Sequence, residues 1–147
     1  PASTLIAEGR KAVVSWRNES DGVHIYFDQG AGRGSHFDVM KHYFGQGTSV
    51  RPDVRVVRRR SGVSMTLYVD AKNSVDPGYL AESHLKMLGY IADRPGVFAA
   101  GGTRVVIACP GPVAGAPRGD DPVAFVDVAG CGLQGTLEHV LRTWLAQ

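Results

Sequence analysis

The strongest constraint on the fold is a run of alternating residues on both sides of the dipeptide Ser61-Gly62. Small turn-forming residues between two runs rich in β-branched residues predict a hairpin with a two-residue turn. The flanking strands are predicted at Val54–Arg60 and Val63–Ala71. If Arg60 faces Val63, counting back along both strands places Asp53 directly opposite Asp70.

The hairpin separates charged from apolar side chains. Because side chains alternate along a strand, Lys72 projects from the same face as Asp53 and Asp70. The other face is apolar and predicts a core surface formed by Val54, Val56, Val63, Met65, Leu67 and Val69. Opposed residues have Cβ atoms about 4.5–5.5 Å apart, so two carboxylates there repel each other unless a proton or a cation joins them.

A hard divalent cation resolves this repulsion. Mg²⁺ is bound in proteins by one or two carboxylates, keeps several waters and accepts phosphate oxygens as further ligands. Beside it, the Lys72 ammonium can orient and help deprotonate an attacking water, or neutralise charge that develops on phosphorus. The three residues therefore indicate hydrolysis of a phosphodiester.

The rest of the chain predicts a mixed sheet with helices packed against it. An earlier hairpin is predicted from Ala12–Arg17 and Val23–Asp28, and a helix begins at the Asp76 N-cap and stops at Pro95-Gly96. Further predicted elements are short strands at 104–108 and 123–128 and a closing helix from Gly132. Residues 3–9 are ambiguous and include a short helix as one interpretation, 30–34 form a loop, and 35–44 form a short helix.

The amino-acid composition limits the classes of protein to which the chain can belong. Hydrophobic residues make up 44% and charged residues 20%, which is typical of one globular domain spanning 1–147 and excludes a membrane-spanning chain. The first twenty residues lack a secretory signal pattern, so we expect a cytoplasmic protein. Cys109 and Cys131 lack the spacing of a zinc site or a disulfide framework, and we expect reduced thiols.

The hairpin resembles the signature of the PD-(D/E)XK nuclease superfamily, which is Pro-Asp on one strand and Asp/Glu-x-Lys on the next. Pro52-Asp53 and Asp70-Ala71-Lys72 match it. The resemblance implies a restriction-endonuclease-like α/β fold, with metal bound by Asp53, Asp70 and the Ala71 carbonyl. It also implies catalysis by Asp53, Asp70 and Lys72, with Mg²⁺ as the cofactor and Mn²⁺ as a substitute.

A narrower similarity spans about residues 23–94. It is to the nuclease subunits of McrBC-type restriction systems, in which a Lys-Met and a Tyr are typical of the helix after the motif. Lys86, Met87 and Tyr90 match those positions, and Lys86 and Tyr90 share one helix face. The similarity implies a DNA endonuclease in restriction or antiviral defence, with Lys86 and Tyr90 near substrate. A solvated lysine and a packed tyrosine are an equal alternative for these two.

The similarity is incomplete. Superfamily members often supply a further acidic residue from a preceding helix, for which only Glu8 or Asp38 is available. The N-terminal helix of the typical fold is missing or short, which indicates a domain excised from a longer protein. The family implies partners not visible in these residues: a motor or DNA-recognition subunit or domain, or a second copy that forms a homodimer.

The arginines of the hairpin are candidates for DNA contacts. Arg55 and Arg59 are predicted on the carboxylate face, and Arg58 and Arg60 on the opposite face near the turn. Both pairs could position a phosphate backbone without reading bases. A charged hairpin tip that only keeps the protein soluble is an equal alternative.

Two other interpretations remain open. The chain could be a nucleic-acid-binding module of the same fold without catalysis, or an ordinary α/β domain whose hairpin acids are unrelated surface charges. The position of Asp53 relative to Asp70 separates the last interpretation from the others.

Overall fold

The chain was analysed as a computed structural model that describes residues 2–8, 11–17, 21–27, 52–93, 95–98, 101–115, 118, 120–128 and 132–147. These residues form a mixed sheet with two α-helices and one short 3-10 helix. The strands are β1 (Ala2–Glu8), β2 (Lys11–Arg17), β3 (Asp21–Phe27), β4 (Val54–Arg60), β5 (Val63–Ala71), β6 (Val105–Cys109) and β7 (Val123–Asp127). The helices are α1 (Pro77–Asp93), the 3-10 turn Pro95–Val97, and α2 (Gly132–Ala146).

The seven described strands follow chain order across the sheet, from β1 at one edge to β7 at the other. β1 to β5 are antiparallel neighbours, whereas β5, β6 and β7 are parallel. Parallel neighbours need a crossover connection, and α1 supplies it between β5 and β6. The predicted mixed α/β class is confirmed.

The central hairpin has the predicted register. Ser61 and Gly62 have φ angles of 48° and 82°, the left-handed values that a tight two-residue turn requires. Arg60 pairs with Val63, and Val54 pairs with Val69 at the other end. The turn therefore sets which residues meet at the open end of the hairpin, where the predicted site lies.

The opening segment differs from the helix that we considered for it. Residues 2–8 form strand β1, and Glu8 pairs with Lys11 of β2. A helix is wrong here because the residues find a partner strand, which local sequence cannot reveal. The predicted loop at 30–34 and the predicted helix at 35–44 lie outside the described residues.

Helix α1 begins where the sequence predicted. The Asp76 side chain accepts a hydrogen bond from the Tyr79 amide at 2.7 Å, and its carbonyl accepts one from Leu80. The 3-10 turn that begins at Pro95 lies just beyond its end. None of the helices in the described ranges is long and apolar enough to cross a membrane.

The two helices cover opposite faces of the sheet. α1 packs on the face that carries Tyr68 and Ile107, and α2 packs on the face that carries Leu67 and Val106. The predicted apolar face of the hairpin is confirmed for five of its six residues, because Val56 and Leu67 lie in the α2 cluster with Val54, Met65 and Val69 packed against it. Val63, next to the turn, is 63% exposed, so its predicted place in the core is wrong. Asp70 comes two residues after Tyr68 on β5. Because alternate residues of a strand share a face, Asp70 also lies on the α1 face.

Candidate active site

The predicted acid and lysine lie at the carboxyl end of β5, where the strand meets β6. Asp70 is only 4% exposed. The Lys72 amide donates to the Ala108 carbonyl at 2.8 Å, which extends the pairing with β6 one residue past the strand. The Lys72 ammonium forms an ion pair with the Asp70 carboxylate. The parallel pairing therefore holds both residues of the motif on one side of the sheet.

Asp53 approaches this pair from the other strand of the hairpin. It lies one residue before β4, and the register that pairs Val54 with Val69 puts it opposite Asp70. Its Oδ2 accepts a hydrogen bond from the Ala71 amide at 2.6 Å. Asp53 itself is exposed. The structure thus brings together Asp53 and the Asp70-Ala71-Lys72 triplet, as the hairpin register predicted.

Pro52 affects the hydrogen bonding of the Ala71 carbonyl. A two-residue turn makes Arg60 and Val63 a hydrogen-bonded pair, and such pairs alternate along an antiparallel ladder. The next pair beyond Val54 and Val69 would be Pro52 with Ala71. Proline has no N–H, so it cannot donate to the Ala71 carbonyl. The Pro-Asp sequence therefore leaves that carbonyl without a ladder donor from β4, while Asp53 accepts the Ala71 amide.

The charges around Lys72 keep it protonated. Burial lowers the pKa of Lys72, but the hydrogen bond to Asp70 and the charge of Asp70 raise it, with further contributions from Tyr79 and Asp53. The net result is a pKa above the ordinary value for lysine. At neutral pH Lys72 is therefore an ammonium ion, which can neutralise negative charge but cannot accept a proton.

The oxygen atoms at this site fit a hard cation with few protein ligands. Within the described ranges, no group of three His, Cys, Asp or Glu side chains comes together. Side chains would thus supply two ligands, Asp53 and Asp70, and the Ala71 carbonyl would be a third. Two carboxylates with waters are the ligand set that Mg²⁺ prefers, whereas zinc takes nitrogen and sulfur.

Tyr79 is a neighbour of the site that the sequence did not single out. It lies in the first turn of α1, is 45% exposed, and is close enough to Lys72 for its charge to affect that residue's pKa. Helical spacing offers a signal for it, because Tyr79, Lys86 and Tyr90 fall on one face of the helix. That face borders β5, since Tyr90 makes an edge contact with Tyr68.

Of the two predicted substrate contacts on α1, one is exposed and the other is buried. Lys86 is exposed, with its Nζ 5.6 Å from the centre of the Tyr90 ring. Tyr90 is 4% exposed and belongs to the core between α1 and the sheet. The burial of Tyr90 fits the alternative of a packed tyrosine, and its contact with substrate stays a prediction.

The arginines occupy different depths and positions. Arg55 is half-buried, with its guanidinium 4.4 Å from the centre of the Tyr26 ring, and lies about 7 Å along β4 from Asp53. Arg59 is exposed but lies about 20 Å from Asp53. Arg58 is only 6% exposed, so the expectation that it meets phosphates is wrong. A strand next to a partner strand buries residues that a free hairpin tip would expose.

Of the two candidates for an additional acid, only Glu8 lies in the described residues. It is on β1, which is separated from β4 by β2 and β3, so about 14 Å of sheet lies between Glu8 and Asp53. Glu8 therefore does not share a metal with Asp53 in this arrangement. Asp38 lies outside the described residues.

An apolar groove of about 820 Å³ runs along the other flank of α1. Its lining includes Val75, Leu80 and Cys109, and the His84 ring stacks on Phe125 with 5.9 Å between centroids. The loop that carries Val75 also carries Lys72, so the groove and the acid pair are neighbours. Apart from His84 and Cys109, the residues that line the groove have apolar side chains or none.

Comparison with known proteins identifies no relative. No protein-family model matches the chain, and neither a curated protein nor a solved structure matches it.

Proposed function

We propose that the chain is a metal-dependent endonuclease of the PD-(D/E)XK class that hydrolyses DNA phosphodiester bonds in restriction or defence against foreign DNA. One observation carries the proposal: the Asp53 carboxylate accepts the Ala71 amide at 2.6 Å, next to the ion pair of Asp70 and Lys72. Two halves of a sequence motif thereby form one charged cluster. The mixed sheet with a helix on each face also supports a restriction-endonuclease-like fold.

The proposed metal ligands are Asp53, Asp70 and the Ala71 carbonyl. When bound, Mg²⁺ or Mn²⁺ would lower the pKa of a coordinated water and neutralise phosphate oxygens. The protein's own contribution is a fixed pair of carboxylates, one exposed and one buried, held at the ends of two paired strands. Pro52 contributes by leaving the Ala71 carbonyl without a donor from β4.

Lys72 is proposed to stabilise charge. The sequence left two roles open for it, deprotonation of water and neutralisation of the phosphate. Its ion pair with Asp70 presents an ammonium ion at the site, which fits the second role. In the enzyme, the Lys72 ammonium would lie beside the scissile phosphate and offset the negative charge that develops in the transition state.

The proposed substrate contacts follow the hairpin. Arg55 lies within one or two phosphate spacings of the acid pair, and Arg59 about 20 Å away, which corresponds to roughly six base pairs of B-DNA. Lys86 extends the cationic surface along α1. These residues position a backbone and do not read bases, so a motor or recognition subunit, or a second copy, is proposed to provide specificity.

The test is cleavage of supercoiled plasmid DNA with Mg²⁺ or Mn²⁺. Wild-type protein should nick and linearise the plasmid, EDTA should stop the reaction, and Lys72→Ala should be inactive. Circular dichroism and thermal melting of Lys72→Ala must show a folded protein, because the substitution leaves Asp70 without its cation.

Equal cleavage by folded Lys72→Ala and wild type would exclude the proposed mechanism. Binding of plasmid DNA without cleavage by the wild type, with either metal, would favour the alternative of a nucleic-acid-binding module of the same fold. The same assay on single-stranded RNA tests the choice of DNA as substrate.

A further inference from the structure

The loop between β5 and α1 connects the candidate site to the apolar groove. It runs from Lys72 to Asp76, so its first residue is a site residue and its last caps α1. At its start, the Lys72 amide is bonded to the Ala108 carbonyl, and near its end the Asp76 amide donates to Ser74 Oγ at 3.1 Å. Between these points Val75, which is 61% exposed, contacts Gly111 on the segment that follows β6.

Val75 packs where a side chain at position 111 would be. Gly111 is buried, and a Cβ atom added to it would lie 2.3 Å from Val75 Cγ1 and 3.1 Å from Val75 Cβ. Rotation of the valine could move Cγ1 but not Cβ, which is fixed to the backbone. An alanine at position 111 therefore requires rotation of Val75 and a movement of a few tenths of an ångström between the two loops.

The backbone at Gly111 does not itself demand glycine. Among the described glycines, only Gly62 and Gly102 have a positive φ. An alanine at position 111 is therefore free of backbone strain, and its only obstacle among the described atoms is Val75. This makes the contact between Gly111 and Val75 separable from other effects by substitution of either residue.

The two contacts join the same pair of segments. Lys72 is bonded to Ala108, and three residues further along each segment Val75 packs on Gly111. A displacement at Val75 is thus transmitted over three residues to Lys72, whose ammonium pairs with Asp70. A shift of about 1 Å in a catalytic group can reduce the rate about 10²-fold, so a shift of a few tenths of an ångström should reduce it several-fold.

We propose that Gly111 and Val75 are positioning residues, whose close contact sets the place of Lys72 relative to the acid pair. The proposal rests on the nuclease function for its kinetic consequence, but the contact has a structural consequence that can be measured without activity. It assigns a role to a glycine outside the PD-(D/E)XK signature.

The kinetic test uses four variants: Gly111→Ala, Val75→Ala, the double variant, and Gly115→Ala as the matched control. A Cβ at Gly115 meets no atom within 4 Å. With Mg²⁺ and plasmid DNA, Gly111→Ala should lower kcat several-fold with KM unchanged. Val75→Ala removes the contact and should also lower kcat, whereas the double variant should regain much of the loss because the new methyl group takes the place of Val75 Cγ1. Gly115→Ala should resemble wild type.

The structural test is amide hydrogen exchange followed by NMR, without metal or DNA. In Gly111→Ala the amides of Lys72 and Ala71 should exchange faster, while those of β7 and α2 are unchanged. The double variant should restore their protection. This measurement decides the positioning role even if the wild type proves not to cleave DNA, an outcome that would count against the nuclease function alone.

Three results would overturn the positioning role. The first is wild-type exchange at Lys72 in Gly111→Ala. The second is an increase spread evenly over β6, β7 and α2, which would indicate a general loss of stability. The third, for an active protein, is a kcat for Gly111→Ala equal to that of Gly115→Ala.

Discussion

The open end and the turn end of the β4–β5 hairpin carry similar charged groups in different surroundings. At the open end, the side chains of Lys72 and Asp70 are 13% and 6% exposed and form an ion pair, and Asp53 binds the Ala71 amide. At the turn, the side chain of Arg60 is 59% exposed and lies 3.8 Å from Asp21. The hairpin thus has a buried ion pair at its open end and, at its turn, a more solvated pair formed with β3.

The difference comes from what covers each end. At the open end, β6 pairs with β5 and α1 packs on the same face, which removes water from Asp70. Charges interact strongly where water is excluded and weakly where it is present. Chemistry is therefore expected at the open end, and at the turn only contacts with a DNA backbone.

The largest effect is expected on the cleavage rate when the acid at the open end, Asp53, is replaced and the result is compared with replacement of Asp21 at the turn. Asp53→Asn retains an oxygen that can accept the Ala71 amide but removes the charge, and it should lower Mg²⁺-dependent cleavage about 10²- to 10³-fold. Asp21→Asn, the matched change at the turn, should leave the rate within about twofold. Plasmid nicking rates measure both. Equal rates for the two variants would remove the functional distinction between the ends.

A smaller effect is expected on the free energy of unfolding when the cation at each end of the hairpin, Lys72 or Arg60, is replaced. Lys72→Met leaves Asp70 buried without its partner and should lower the free energy of unfolding by about 3 kcal/mol. Arg60→Gln should cost about 0–1 kcal/mol, because its pair with Asp21 is solvated. Urea denaturation measures both differences. Similar losses in the two variants would show that the Asp70–Lys72 pair is not buried in solution.

The difference in stability between wild type and Lys72→Met should change with pH in a direction set by the pKa of Lys72. Because the folded-state pKa of Lys72 is raised above the unfolded value, its stabilisation is fully present below the unfolded pKa, about 10.4. It is lost as pH rises through the higher folded-state pKa. The stability gap between wild type and Lys72→Met should therefore be constant from pH 7 to about 10 and narrow above it. A gap that narrows already below pH 9 would contradict a raised pKa.

The smallest expected effect concerns DNA binding at the turn. Arg59→Gln should reduce the slope of log affinity against log salt by about one and leave kcat unchanged, since Arg59 is about 20 Å from Asp53. Fluorescence anisotropy with labelled duplex at several salt concentrations measures the slope. An unchanged slope would indicate that Arg59 only keeps the protein soluble. A lower kcat would indicate that the active site extends to the turn.

Local rules predicted the parts of the molecule that depend on neighbours in sequence. The hairpin register followed from Ser61-Gly62 and from alternation, and the start of α1 followed from Asp76 and Pro77. β1 was not predicted because residues 2–8 become a strand only by pairing with β2. Strand preferences depend on such context far more than helix caps do.

The sequence did not decide between burial and exposure for Tyr90 and Arg58. Tyr90 and Arg58 were judged from residue type and spacing, which do not report what packs against a side chain. Tyr90 is enclosed by α1 and the sheet, and Arg58 lies on a strand between β3 and β5. Tyr79 was missed for the same reason, because its proximity to Lys72 depends on the path of the loop that connects them.

The sequence by itself determined that Asp53 and the Asp70-Ala71-Lys72 triplet meet, because a two-residue turn fixes the register of a hairpin whatever surrounds it. It also determined, through Pro52, that the Ala71 carbonyl has no donor on β4. Only the tertiary structure decided that Asp70 and Lys72 are buried as a pair and that Gly111 packs on Val75. Those features require β6 and α1 to pack against the hairpin, and burial is a property of the assembled sheet that no local pattern encodes.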